Sequence, residues 1–122
     1  MGKVILVVED EPRNLKLVRD LLHAAGYRTL EATDGKHAIE LAKAHRPDLI
    51  LMDISMPVMD GLEATKALRA DAETKNTHII ALTSHAMKGD EEKILAAGCD
   101  GYLTKPIDIR EFLKKVAEYL YE

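Results

Sequence analysis

The sequence predicts a doubly wound α/β fold built on one parallel five-stranded sheet, and three observations predict it. Five strand-length segments alternate with segments whose apolar residues recur at helical spacing. The runs VILVV at 4–8, LILM at 49–52 and IIAL at 79–82 are apolar without alternation, as in strands covered on both faces. Acidic or hydroxyl residues follow these runs at once, where an open parallel sheet carries its working groups.

Each element has its own justification. Val4–Val8 is a buried strand that runs into Glu9, Asp10 and Glu11 and then Pro12. From Asn14 a helix follows, with Leu15, Val18, Leu22 and Ala25 in one stripe and Gly26 at its end. Arg28–Ala32 is weaker and more polar, as an edge strand would be. Asp34-Gly35 opens a second helix with Ala38, Leu41 and Ala42 on one face, finished before Pro47.

Leu49–Asp53 is the central strand, and Pro57 and Gly61 bar its continuation. Asp60 with Glu63 forms a capping box for a third helix that points Ala64 and Leu68 inward, before a polar surface loop from Ala70 to Thr77. Ile79–Leu82 is the fourth strand and ends in Thr83-Ser84-His85. A helix from about Asp90 carries Ile94, Leu95 and Ala97, with Glu91, Glu92 and Lys93 on its exposed face. Gly101–Thr104 is a short fifth strand leading to Lys105-Pro106. Asp108 with Glu111 caps a last helix whose inner side holds Ile109, Phe112, Leu113, Val116 and Leu120.

Strict alternation implies right-handed crossovers, and for five units the doubly wound, flavodoxin-like (βα)5 order is 2-1-3-4-5. The first and third strands are then neighbours, so Glu9, Asp10 and Asp53 share one crevice. A chain of 122 residues makes one domain, 1–122, and only Tyr121 and Glu122 follow the last helix. No second domain, whether helix-turn-helix, winged helix or catalytic, is expected. The net charge of -4 leaves no basic footprint for nucleic acid. The single Cys99 excludes an internal disulfide, has no zinc-type spacing with the histidines, and reads as a buried small hydrophobe rather than a redox sensor. The longest apolar run is too short to span a bilayer, so no membrane association is expected and the cytoplasm is the expected compartment.

A lone acid at a strand end is either a cap for the next helix or a working group, and Asp53 by itself does not decide between them. Glu9 and Asp10 alone could be loop acids favoured by a helix dipole, Thr83 a cap and Tyr102 a core aromatic. Their combination points elsewhere. Carboxylates about 4 Å apart repel by on the order of 4 kcal/mol per pair at an effective dielectric near 20. A divalent cation relieves that repulsion, and an all-oxygen site with waters suits Mg²⁺. Lys105 from the fifth strand and Thr83 from the fourth add one cation and one hydroxyl around the same pocket, which together describe a phosphoryl site.

VVEDE at 7–11, LMDISMPVMDG at 51–61, ALTSHA at 81–86 and YLTKPI at 102–107 resemble, in order and spacing, the four signatures of response-regulator receiver domains. The stretch from His85 to Ile107 resembles standalone receivers of the cell-division regulator type, and receivers from hybrid sensor kinases look much the same. The resemblance implies that Asp53 is the phosphoacceptor for a phosphohistidine on a sensor histidine kinase or histidine phosphotransfer protein. It implies Mg²⁺, with Mn²⁺ as an alternative, on Asp10, Asp53 and the backbone carbonyl of Ser55, with Glu9 acting through water. Lys105 holds phosphoryl oxygens, and a cis Lys105-Pro106 bond is favoured. Thr83 is expected to swing to the phosphoryl group and Tyr102, the switch aromatic, to turn inward, repacking the fourth helix, fifth strand and fifth helix for a downstream protein. The implied protein is a monomer or a weak phosphorylation-dependent dimer, catalysing only its own phosphorylation and dephosphorylation. His85, two residues after Thr83, is expected to set access for hydrolytic water.

Two rivals come from other classes. A Mg²⁺ phosphohydrolase would need a pocket or lid for an outside substrate, and no insertion is large enough to build one. A constitutive binding module would not need Asp10, Asp53, Thr83 and Lys105 together. A flavin-phosphate site is disfavoured because the first loop, EDEPRN, is acidic.

Overall fold

The computed structural model of the 122-residue chain describes residues 2–54, 60–84 and 88–121. Its elements are β1 (Val4–Val8), α1 (Pro12–Ala24), β2 (Arg28–Ala32), α2 (Gly35–His45), β3 (Leu49–Asp53), α3 (Gly61–Ala70), β4 (His78–Thr83), α4 (Lys88–Ala97), β5 (Gly101–Thr104) and α5 (Ile109–Leu120). All strand pairs are parallel, and the order is β2-β1-β3-β4-β5, as the alternation predicts.

The pleat divides the apolar residues into two cores. Ile5, Val7, Leu49, Leu51, Ile80, Leu82 and Leu103 meet Val18 and Leu22 of α1 and Phe112, Val116 and Leu120 of α5. Leu6, Val8, Ile50, Met52, Ile79 and Ala81 meet Ala38 and Ala42 of α2, Ala64 and Leu68 of α3 and Ile94 of α4. Burial of each large aliphatic or aromatic side chain contributes roughly 1.5–3 kcal/mol. The unbroken apolar runs of β1, β3 and β4 are what two covered faces require.

Boundaries differ from expectation where caps act. The first helix begins at Pro12 rather than Asn14, because Glu11 is its N-cap and accepts the Asn14 amide at 2.9 Å, while proline at the first position loses no bonded N–H. The fourth helix begins at Lys88 rather than near Asp90, and β4 gains one residue at each end. The loop after α3 is a tight turn: Thr74 is buried and its hydroxyl donates to the Leu68 carbonyl at 2.7 Å. Ile109, expected on the inner side, is 51% exposed at the first position of α5. Leu95 is 52% exposed and Ala25 is also exposed, each beyond the stripe its helix buries.

The amino end of the sheet is tied by acids. Asp48 accepts the Val4 amide at 2.8 Å. The Asp100 carboxylate accepts the Ile79 amide at 2.8 Å and pairs with Arg69 at 3.0 Å, while Arg69 Nε donates to the Gly98 carbonyl at 2.8 Å. Tyr119 of α5 donates its hydroxyl to the Asp100 carbonyl at 2.9 Å. Gly98, at φ 111°, ends α4 in the left-handed region, and a Cβ there would stand 2.7 Å from Arg69 Cγ.

Candidate functional site

The crevice lies at the opposite end, where winding reverses between β1 and β3. Val8 is paired with Met52, so the next residues, Glu9 and Asp53, emerge side by side. Asp53 continues the row Leu49–Leu51 that the pleat turns toward α1 and α5, and it is 3% exposed. The Glu9 amide donates to the Ala32 carbonyl at 3.0 Å, which holds the chain to the sheet for one more residue. Glu9 is fully buried and Asp10 is exposed.

Gly61 sets the close approach of α3 to this strand end. A Cβ at Gly61 would lie 2.3 Å from the Asp53 carbonyl oxygen and 2.7 Å from Ile54 Cα, so only glycine lets the helix start there. Asp60 caps the same helix by accepting the Glu63 amide at 2.9 Å. Sequence patterning identified the cap but not the contact, since a close approach between backbones leaves no periodic signal.

Lys105 arrives from β5. Its backbone amide donates to the Thr83 carbonyl at 2.8 Å, the Lys105-Pro106 bond is cis as the resemblance favoured, and the ammonium lies in the crevice. Nζ is 2.7 Å from Glu9 Oε1 and 3.5 Å from Asp53 Oδ2. Burial would lower the lysine pKa, but the hydrogen bond to Glu9 and the charges of Asp53 and Glu9 outweigh it, and the net direction is upward. Burial pushes the Glu9 carboxyl up to about 7, helped by a hydrogen bond and charge from Asp53 and opposed by Lys105. One ammonium among three carboxylates leaves excess negative charge.

Glu9, Asp10 and Asp53 each offer a carboxylate oxygen within 4.8 Å of the others. This donor set is all oxygen, with neither thiolate nor imidazole, and it carries more charge than Lys105 cancels. It fits a hard divalent cation such as Mg²⁺ or Mn²⁺ and does not fit a zinc centre. The fourth expected donor, the Ser55 carbonyl, and the expected water gate His85 lie outside the described residues.

Thr83 is 1% exposed on the other face of the sheet, continuing the row Ile79–Ala81 one residue beyond the Asp53–Leu82 pairing. Tyr102 is on that same face, packed against the α2/α3/α4 core, with Ala81 opposite it in register. Its hydroxyl donates to the Glu91 carboxylate of α4. Glu91, expected on the exposed face of its helix, is therefore half-buried with a specific partner. The usable signal was Tyr102 itself, because a half-buried phenol hydroxyl needs an acceptor.

Fold and crevice together place the chain among α/β proteins whose working residues stand at the switch point of one parallel sheet. The chain belongs to the response regulator receiver domain family, whose family model matches residues 5–117. It is a receiver domain of two-component signalling similar to DivK. It is 48% identical over 120 residues, 98% of each chain, to the polar-differentiation response regulator DivK of Brucella anthropi. Among solved structures, the receiver domain of sensor histidine kinase PA1611 from Pseudomonas aeruginosa, with a magnesium ion coordinated in its active-site cleft, superposes with TM-score 0.93. The two are 38% identical over 100% of both chains. The Vibrio cholerae chemotaxis protein CheY4 matches with TM-score 0.93 and 33% identity, covering 98% of this chain and 100% of its own. Among the described residues, no helix is long and apolar enough to cross a membrane.

Proposed function

We propose that the chain is a phosphorylation switch in which Asp53 accepts a phosphoryl group from a phosphohistidine of a sensor histidine kinase or histidine phosphotransfer protein. The observation that carries this reading is the Lys105 ammonium held 2.7 Å from Glu9 and 3.5 Å from Asp53, beside carboxylates that together exceed its charge. An Asp53 carboxylate oxygen attacks phosphorus in line, the nitrogen–phosphorus bond of the donor breaks, and an acyl phosphate forms. Lys105 holds the phosphoryl oxygens as charge builds on them. Water later attacks the phosphorus, releasing inorganic phosphate and the free Asp53 carboxylate.

Asp10, Asp53 and the Ser55 carbonyl, with Glu9 acting through water, are the residues that would hold Mg²⁺ or Mn²⁺, which when bound neutralises phosphoryl-oxygen charge. The magnesium in the cleft of the PA1611 receiver domain supports that choice. Thr83 donates its hydroxyl to the phosphoryl group, and Tyr102 turns inward on its face of the sheet. The rearranged α4, β5 and α5 surface then docks a downstream protein. The chain acts on no outside substrate and is a monomer or a weak phosphorylation-dependent dimer.

Intact mass after incubation with acetyl phosphate and Mg²⁺ tests the reading. One added phosphoryl group that disappears in Asp53→Asn and with chelator is expected. No adduct in the wild type under trapping conditions would leave a constitutive binding module, and an adduct retained in Asp53→Asn would place the acceptor elsewhere.

A further inference from the structure

The expected inward turn of Tyr102 starts from a half-buried side chain whose hydroxyl is already bonded. Tyr102 stands in the middle of β5 with its ring half-buried against the α2/α3/α4 core, and its hydroxyl donates to the carboxylate of Glu91 in the first turn of α4. The path inward is short. Alternation along the strands puts Tyr102 on the face that carries Ala81 and Thr83, its register partner is Ala81, and Thr83 is two residues further along β4. Opposite a residue as small as alanine, the ring has little to displace along the sheet. Among the described residues, the hydroxyl's bond to Glu91 is a contact the turn has to break.

We propose that Glu91 is the positioning residue that latches the resting state, holding Tyr102 outward until phosphorylation supplies a better use for the space beside Thr83. The proposal rests on the phosphorylation-switch reading above. The acceptor is a carboxylate, so the bond it receives is charge-assisted and stronger than a neutral one, and the phenol must be protonated to donate it. The same contact raises the Tyr102 pKa, with burial and the Glu91 charge adding to the effect. Glu91 thus ties α4 to β5 in one state and releases both in the other. A turn of one aromatic ring then changes the position of a helix.

A ligand shifts a two-state equilibrium only by its differential interaction, and a latch on one state acts with the opposite sign. Removing Glu91 should populate the inward state before any phosphoryl group arrives, and with it the conformation in which Asp53 reacts faster. Glu91 also stands where an acid favours the helix dipole, so a charge effect has to be separated from an acceptor effect. Gln keeps an oxygen acceptor without the charge, and Ala keeps neither.

The experiment uses the full chain with ring-¹³C-labelled tyrosine, unphosphorylated, with Tyr102 assigned among the four tyrosines by Tyr102→Phe. It also measures the rate of phosphoryl gain from acetyl phosphate with Mg²⁺ by intact mass. The Tyr102 ring resonances should move in Glu91→Ala and stay close to wild type in Glu91→Gln. The phosphorylation rate should rise about fivefold in Glu91→Ala and at most about twofold in Glu91→Gln. In a Tyr102→Phe background Glu91→Ala should change nothing. Unmoved Tyr102 resonances in Glu91→Ala would overturn the latch, as would equal effects of Ala and Gln or a rate effect that persists without the Tyr102 hydroxyl. A ring that moves in a protein that takes up no phosphoryl group would leave the latch standing and remove the phosphoacceptor reading instead.

Discussion

Both ends of the sheet carry acids with charged neighbours, and they treat them in opposite ways. At the amino end, Asp100 Oδ2 receives the Ile79 amide at 2.8 Å and Arg69 Nη2 at 3.0 Å, with His78 Nδ1 at 3.6 Å. Its charge is matched by one guanidinium, and Arg69 gives three further donors to the carbonyls of Gly98, Lys75 and Thr77. At the carboxyl end, Glu9, Asp10 and Asp53 bring carboxylate oxygens within 4.8 Å of one another, and Lys105 is the one ammonium paired with them among the described residues. Matched charge and filled hydrogen bonds make the first cluster a clasp between α3, β4, the loop before β5 and α5. Surplus negative charge makes the second a receptor, since only an added cation or a proton balances it.

The largest effects should separate the two clusters cleanly. Lys105→Met removes the only cation beside Asp53 among the described residues. It should lower the rate of phosphoryl gain from acetyl phosphate at least about a hundredfold, followed by intact mass at fixed Mg²⁺. Arg69→Met should instead destabilise the fold by about 3 kcal/mol in urea unfolding, because it strands Asp100 and three carbonyls, while the folded fraction phosphorylates at the wild-type rate. A near-normal rate in Lys105→Met, or a catalytic loss in Arg69→Met, would break the distinction.

The same contrast explains what the sequence revealed. Glu9, Asp53 and Thr83 are legible because each directly follows an apolar strand run, and Lys105 because it follows the short fifth strand; the order of parallel strands then brings these ends together. Arg69, Asp100 and Tyr119 carry no such mark. They belong to a helix, a loop and another helix, and only tertiary packing makes them one cluster. Glu91 looked like one of three exposed charges because helical spacing does not say which flank of α4 leans on β5. Ile109 was placed inward by its hydrophobicity, but the first position of α5 lies past the end of the core it would have joined. Periodicity reports which residues share a face, and close approach between elements, as at Gly61, stays invisible to it.

Proton balance at the crevice sharpens the comparison further. The Glu9 carboxyl titrates at about 7 in the fold against 4.5 ordinarily, so between those values the native state holds a proton that the unfolded chain releases. Its contribution to stability is complete below pH 4.5 and is lost as pH rises through 7, by about 3 kcal/mol. Urea unfolding with chelator present should therefore show the wild type losing that much more stability than Glu9→Gln between pH 5 and pH 8. Mg²⁺ added at pH 8 should stabilise both proteins, since Asp10 and Asp53 remain in the variant, and the wild type by more, because the cation also offsets the Glu9 charge. Parallel pH profiles for the two proteins would mean that the burial of Glu9 does not control its charge.

The smallest effect asks whether position at the carboxyl end is enough, or whether contact with the crevice is required. Asp34 caps α2 by accepting the His37 amide at 2.8 Å, and Asp60 caps α3 by accepting the Glu63 amide at 2.9 Å. Both caps follow strands at the same end of the sheet, and replacing either with alanine should cost about 1 kcal/mol in urea unfolding. Only the second supports the helix start whose Gly61 lies against the Asp53 and Ile54 backbone. Loosening that start lets the Asp53 carboxylate drift from Lys105, so on the proposed reading Asp60→Ala should slow phosphoryl gain about threefold while Asp34→Ala leaves it unchanged. Equal rates in the two variants would show that β3 alone holds Asp53 in place, and that the approach of α3 serves the fold without serving the chemistry.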